Sequence, residues 1–502
     1  MTRRMALWRT PALIAPFALL GACAVGPDYH PPTPLGGSGT AWVSASPAAE
    51  TAAEPPDAWW KLYHDEKLDQ LLQEAFAANT NLRSAAANLT ASRAVLQAAR
   101  AGRYPQTQAE AEAIYGRDGI TDEILEIVGH HPENIWVYAT TLDVAYEVDL
   151  FGRVRRSIEA ARADDEAVAA ARDVVKITVA AETARAYAQV CSLGEQLEAA
   201  RRSLDVVGHE SEITSNRQRA GAGSEFDVVR SQLLVAQVRA TIPPLEGQRR
   251  AALFQLAALL GRPPSKAPAE VESCVLPPHL NELIPVGDGA TLLKRRPDVR
   301  LADRRLAAAT ARIGVATADL YPRIALKGFI GGIASEWQNL ATNDGITWGL
   351  GPAVSWTFPN QAVPRARIRQ AKAGAEAALA AFDDTVLQAL KETEQALVTY
   401  RSEIDRRLAL TQAQERARKA FDMAHDQFVA GALSQLELLT TEQQLVAADA
   451  AVASSDTALI QDQIVLFKAL GGGWRNRSAA EGTPRSASGA TWGRKETDAK
   501  RP

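Results

Sequence analysis

Only three cysteines occur in 502 residues, an odd number too small for a disulfide framework. Lys and Arg number 55 against 59 Asp and Glu, so no basic excess marks a nucleic-acid partner, and none is expected. Aromatics are 6% of the chain, and no apolar run is long enough to cross a bilayer as a helix. A membrane role therefore falls to an anchor, a β-barrel or a peripheral surface. There is no P-loop, no convergent nucleophile, no acid–base pair and no metal cluster, so neither catalysis nor a metal or cofactor is expected. His130-His131 sits in a predicted loop and reads as solvated residues before metal ligands. Cys191 falls in a helical run and Cys274 in a Pro-rich segment; both read as packing or chance residues, not as a redox pair.

What the chain does have begins at its N-terminus. Arg3, Arg4 and Arg9 precede the apolar run 12–20, the layout of a secretory signal peptide over 1–22. Leu20-Gly21-Ala22-Cys23 resembles the lipobox of bacterial lipoproteins, which implies acylation of Cys23. Two or more acyl chains make a stable anchor, at about 0.8 kcal/mol per buried CH₂. Ala24 in place of Asp favours the outer membrane by the same resemblance; the alternative is an ordinary cleavage site before a cysteine. Residues 23–58, rich in Pro, Gly, Ser and Thr, read as a lipidated linker. Residues 474–502 read as a disordered tail.

Between these ends the chain is duplicated. RAGAGSEFDVVRSQLLVAQ (219–237) aligns with VAGALSQLELLTTEQQLVA (429–447), pairing Gly221 with Gly431, Ser224 with Ser434 and Asp227 with Glu437. Leu260-Gly261 matches Leu470-Gly471, and Tyr104-Pro105 matches Tyr321-Pro322. The repeats span 59–262 and 291–473, joined by 263–290. Helical runs are expected over 66–102, 154–219, 225–260, 292–320, 365–429 and 435–470. The two longest would each reach roughly 100 Å, and their Ala-rich faces allow close, coiled-coil-like packing.

Each repeat also holds two segments of strict alternation, the period of a strand. Over 106–115, Gln106, Gln108, Glu110 and Glu112 alternate with small residues. Over 137–150, Asp143, Glu147 and Asp149 oppose Tyr138, Leu142, Val144 and Tyr146. Over 323–331, Arg323 and Lys327 oppose Ile324, Leu326 and Ile330. Over 347–358, Thr, Gly and Ser residues oppose Trp348, Leu350, Val354 and Trp356. About 9–11 residues with one wet face suit a membrane strand; two soluble hairpins are the other reading. Four strands cannot close a membrane barrel, and an open edge is excluded in lipid. Three copies would supply twelve strands.

Together with CAVGPDYHPP, WWKLYHDEKLDQLLQEAFAANTNL, YEVDLFGRVRRSIEAA and RRPDVRLADRRLAAATARIGVATADLYP, these features make the chain from Cys23 to about Gly473 resemble the TolC-type outer-membrane efflux factors, lipoprotein branch. The resemblance implies an α plus transmembrane-β fold: a homotrimer with a twelve-stranded barrel continuous with a twelve-helix periplasmic tunnel. A belt of the linker, Trp59, Trp60 and 262–290 would surround it. It implies a passive exit duct in the outer membrane of a Gram-negative bacterium, working with a periplasmic adaptor and an inner-membrane pump of a tripartite efflux system. A type I secretion duct and a lipid-anchored periplasmic scaffold are the alternatives. The hairpin tips at Gly221, Gly223, Ser224, Gly431 and Ser434 would contact the adaptor. Glu437 matches an acidic gate position with Asp227 as its repeat mate, while Thr440 stands where some members carry a second acid. The wet strand faces, with Glu110, Glu112, Asp143, Glu147, Asp149, Arg323 and Lys327, would line the lumen. There they either favour cations mildly or neutralise one another.

Overall fold

The computed structural model describes residues 24–33, 41–44, 50–117, 134–280 and 282–473. The signal peptide, Cys23, His130-His131 and the tail 474–502 lie outside the described residues. In chain order the elements are β1 (Glu50–Thr51), a 3-10 turn (Trp59–Tyr63), α1 (Glu66–Ala78), α2 (Thr80–Ala101), β2 (Gln106–Gly116), β3 (Ile135–Val148), α3 (Arg153–Arg219) and α4 (Glu225–Leu259). After a second 3-10 turn (Pro264–Lys266) come α5 (Ala269–Glu272), β4 (Ile284–Pro285), α6 (Gly289–Arg295), α7 (Pro297–Ala318), β5 (Arg323–Ala334), β6 (Ile346–Ser355), α8 (Ala362–Val429) and α9 (Gln435–Ala469). A third short 3-10 turn, Trp337–Asn339, lies in the β5–β6 loop.

Two helices set the scale. α3 has 67 residues and α8 has 68, each about 100 Å long at 1.5 Å per residue. Small residues let the wall close around them: α3 packs on α2 and α7 in its first half and on α4 and α9 in its second. The two runs expected as single helices before the hairpins are each divided. Asn79 ends α1 and caps α2: its Oδ1 accepts from the amides of Asn81 (2.9 Å) and Leu82 (3.2 Å), while its Nδ2 donates to Leu259 O at 2.9 Å. In the second repeat the break is at Arg296, followed by Pro297 at the first position of α7, where a missing amide costs nothing.

The duplication is visible in how helices end. Gly221, Gly431, Gly261 and Gly471 all adopt φ between 69° and 75°. Each makes the same paired closure, in which the next residue's amide reaches back five positions: Ala222 to Arg217 O, Ala432 to Gln427 O, Arg262 to Ala257 O and Gly472 to Phe467 O. These are Schellman ends, for which glycine is the favoured residue because it carries no Cβ penalty at positive φ.

The main core sits at mid-height, where Trp59 stacks on Phe467 with centroids 4.9 Å apart. Leu72, Leu256, Leu397 and the Ala-rich stretch of α3 around Ala180–Cys191 pack around that pair. Arg295, 7% exposed, donates to Pro56 O (3.1 Å), Asp57 (3.0 Å) and Gly471 O (3.4 Å). It thereby joins the N-terminal linker to the end of the second repeat. The parallel pair β1–β4 and the Trp42 indole on Val286 O (3.3 Å) bring the linker against the connection between repeats.

Cys191 and Cys274 correct the sequence reading: they are bonded to each other, with Cα atoms 4.8 Å apart. The buried face of α3 presents Cys191, and Gly194 one turn later clears the approach; a Cβ there would lie 2.2 Å from Cys274 O. Arg249 then holds the same carbonyl at 2.7 Å. The cross-link closes 83 residues of separation. Cys274→Ser is expected to lower stability by about 2–4 kcal/mol and to open the segment after α4 to trypsin. Calorimetry and limited proteolysis indistinguishable from the parent would show the bond to be idle.

Candidate permeation path

The four long strands form one antiparallel sheet in the order β2-β3-β5-β6. Its register sets the faces against one another. Gln108 stands opposite Asp143, Glu110 opposite Thr141 and Ala145 opposite Lys327; Lys327 in turn stands opposite Gly351. Directly paired residues share a side of the sheet, so every polar face read from alternation falls on one surface. The other surface carries Leu142–Ile330–Trp348 and Tyr146–Leu326–Pro352 across three strands. Pro352 lies on β6, opposite Leu326, and brings no amide to the ladder. At the end far from the helices, Tyr115, Trp136 and Tyr138 cluster on the apolar side, with centroids 5.2 and 5.8 Å apart. At the near end Trp356 stacks on Phe358 and Phe151 on Tyr321. Two aromatic bands flanking an apolar sheet face are the signature of a lipid-spanning barrel wall.

Several strand ends differ from the alternation. β3 stops at Val148, so Asp149 lies past the ladder and is not a strand residue. Its carboxylate instead accepts from the amides of Val154 (2.9 Å) and Arg155 (2.8 Å), satisfying the first turn of α3. Alternation continued past the ladder because a capping acid happens to keep the parity. β5 runs on to Ala334, shortening the β5–β6 loop, and β6 ends at Ser355. Trp356 then donates its indole N–H to Leu320 O at 3.0 Å.

The remaining wet-face charges divide into two groups. Glu147 is held by Arg153, with Nε 2.8 Å from Oε1, and Arg323 pairs with Asp319 at 2.5 Å. Both partners lie at the foot of the sheet. Glu110 accepts from Gln108 at 2.5 Å; Glu112, Asp143 and Lys327 are exposed. Phe329 shares this face by register, opposite Gly349, a position the sequence reading passed over. A Cβ on Gly349 would meet its ring at 2.6 Å.

At the other end of the molecule both hairpin tips are built alike. After Gly221 the chain passes through Gly223 to Ser224, whose Oγ accepts from the Asp227 amide (3.2 Å), while Asp227 Oδ2 accepts from the Ser224 amide (3.3 Å) and hydroxyl (2.7 Å). Ser434 and Glu437 repeat this reciprocal box after Gly431, at 3.3, 3.2 and 2.8 Å. Glu437 is exposed and Asp227 half-buried, and both are turned back onto their own caps. The Ser434 hydroxyl, and then its amide, hold the Glu437 carboxyl below its ordinary value of 4.5.

Sequence reasoning missed a seat for the N-terminus at the foot of the sheet. Arg156, 4% exposed, donates to Val25 O (3.2 Å), Gly26 O (3.3 Å) and Asp28 (2.7 Å). The Val25 amide donates to Phe151 O at 3.1 Å. Gly26 lies flush on Gly314, where a Cβ would come within 2.4 Å of the Gly314 Cα. The available signal was the glycine of CAVGPDYHPP beside the basic VRR that opens α3.

The family described as outer membrane efflux protein matches residues 71–262 and 290–472, well over half of the chain. A pyoverdine export outer membrane protein, OpmQ of Pseudomonas aeruginosa, is 30% identical, with 93% of this chain and 97% of that protein covered. Nodulation protein T of Rhizobium leguminosarum bv. viciae is 29% identical over 96% of each. Among solved structures, the outer-membrane channel OprN superposes with a TM-score of 0.82 at 33% identity, covering 90% of this chain and all of that one.

The tip geometry predicts that Ser434→Ala frays the first turn of α9, seen as several-fold faster amide exchange at Glu437, roughly what the loss of about 1 kcal/mol of capping gives. Because the folded Glu437 value is depressed, its half of the cap is complete above pH 4.5 and is lost as pH falls through the lower folded value. Protection that fell on raising the pH would contradict the box.

Proposed function

This chain belongs to the outer membrane efflux protein family, and on that premise we propose that three copies assemble one continuous exit duct. The efflux-channel role and outer-membrane site come with the family; the trimer, its partners and its gate are our reading. One observation carries it: among the described residues the sheet ends in two edges, β2 and β6, each with a single neighbour. In hydrocarbon those edges must be paired. Joining β6 of one copy to β2 of the next closes twelve strands after three steps, with the wet face inward. The helices leaving those strands continue the wall into the periplasm.

The seat under Arg156 supports a lipid on Cys23, since it holds residues 25–28 at the strand–helix junction, where the bilayer surface falls. An adaptor and an inner-membrane pump are the expected partners, with the adaptor at the tips. Ducts of this kind contribute a path and leave energy to the pump. Within the lumen, pairing of Glu147 and loss of Asp149 reduce the acidic set to Glu110, Glu112 and Asp143 against Lys327. A mild cation preference still follows.

The purified protein should migrate as a heat-sensitive trimer and conduct in planar bilayers, with reversal potentials displaced toward cations. A monomer without conductance would overturn the duct. For the gate, Glu437→Ala is expected to raise single-channel conductance. Ser434→Ala, which loosens the same cap but keeps the charge, separates gating from fraying. Equal effects of the two would assign the increase to the cap.

A further inference from the structure

The two hairpins of a protomer meet about two turns from their tips, where α3, α8 and α9 run side by side. Glu442 on α9 is 1% exposed, and neither of its carboxylate oxygens has a hydrogen-bond partner. Glu210 on α3 is 5% exposed, and its charge acts directly on Glu442. On α8, His425 Nδ1 lies 3.4 Å from Glu210 Oε1. Beside Glu442 opens a cavity of about 360 Å³, into which α3 turns Glu195 and Arg202, α8 turns Arg418, and α9 turns Asp449 and Asp456. Arg418 is engaged by Asp449 at 3.2 Å, and Arg407 by Asp456. α4 meets α9 through Leu234 and Val238, which carry no charge. Among the described residues no cation is therefore bonded to Glu442, and nothing in the caps or the strands calls for a carboxylate there. An ionised carboxylate so placed is costly beside a second one, and the pair is relieved by taking up a proton.

We propose that Glu210 and Glu442 form a proton-binding site that latches the α8–α9 hairpin to the α3–α4 hairpin. A bound proton closes the junction. Its loss leaves two buried like charges, and they push the hairpins apart just above the entrance. The inference rests on the duct reading and adds a regulator to it.

Burial, and next the Glu210 charge, push the Glu442 carboxyl from 4.5 up to about 7. A folded value above the unfolded one means that the packed junction takes up a proton as the pH falls. Its stabilisation is complete below pH 4.5 and is lost as pH rises through about 7. The latch is thus closed in acid and loosens above neutrality. This sign is opposite to that of the Glu437 cap, so the two devices are separable by titration.

The test is single-channel recording of the full trimer from about pH 5.5 to about pH 8.5, with amide exchange over 436–450 measured in parallel and corrected for the intrinsic pH dependence. The wild-type open fraction should rise toward a midpoint near 7, by at most about ten-fold per pH unit for each of the three latches that opening releases. Exchange should rise with it. Glu442→Gln keeps the shape and removes the charge, so it should stay closed and protected throughout; Glu210→Gln should move the step to lower pH, because burial of Glu442 remains. Glu437→Ala should keep the pH step, whatever its conductance. A channel that conducts with no pH step, or a step that survives Glu442→Gln, overturns the latch and leaves the duct standing. Absence of conductance at every pH, with exchange that still follows Glu442, overturns the duct and leaves the latch.

Discussion

Inside hydrocarbon a strand edge has nowhere to send its amides and carbonyls, and the described residues carry two such edges on the long sheet, β2 and β6. Most of the architecture follows from that debt. Strands of 10 to 14 residues must repeat their wet and apolar faces in register across three pairings. The helices that leave them must stand as a wall, since a closed ring of strands above dictates a ring of helices below. Long single helices, close Ala contacts and matching helix ends answer that demand. A soluble hairpin pair would need only one buried face and would have no use for a 100 Å stalk.

In the helix wall, for its part, three levels fix the course of the chain. At the foot of the sheet Arg153, Arg156 and Asp149 organise the change from strand to helix. At mid-height Arg295 and the Cys191–Cys274 bond fasten the linker and the inter-repeat segment to the core. At the tips two serine–acid boxes stiffen the turns. Between these levels small apolar contacts alternate with ion pairs that tie neighbouring helices, among them Arg312–Asp164 and Arg407–Asp456.

Much of this was legible in the residues, for definable reasons. Faces of the strands could be read because period two survives even in QTQAEAEAIY, whose residues prefer helices, and pairing later aligned those faces. The hairpin tips could be read because a duplicated Gly–x–x–Ser–x–x–acid pattern fits only one local geometry. Asp149 could not, since a cap at the right parity looks like one more strand residue. The break at Asn79 was hidden by an apolar pattern that continues across it, although Asn before Thr is a cap signal. Cys191 and Cys274 lie far apart in sequence, and only the packing of the inter-repeat segment on α3 brings them together. The Glu442 pair lay beyond sequence reading altogether, because an acid on an Ala-rich helix is ordinarily a solvated one.

The seat under Arg156 has a consequence in time. Residues 25–28 are made early, yet Gly314, against which Gly26 closes, belongs to the second repeat and is made long after. The segment that precedes the whole fold can therefore dock only when α7 has come to lie along α3. Residues 25–28 and the foot of the sheet are thus joined late in folding, and a chain that stalls midway has no seat for them.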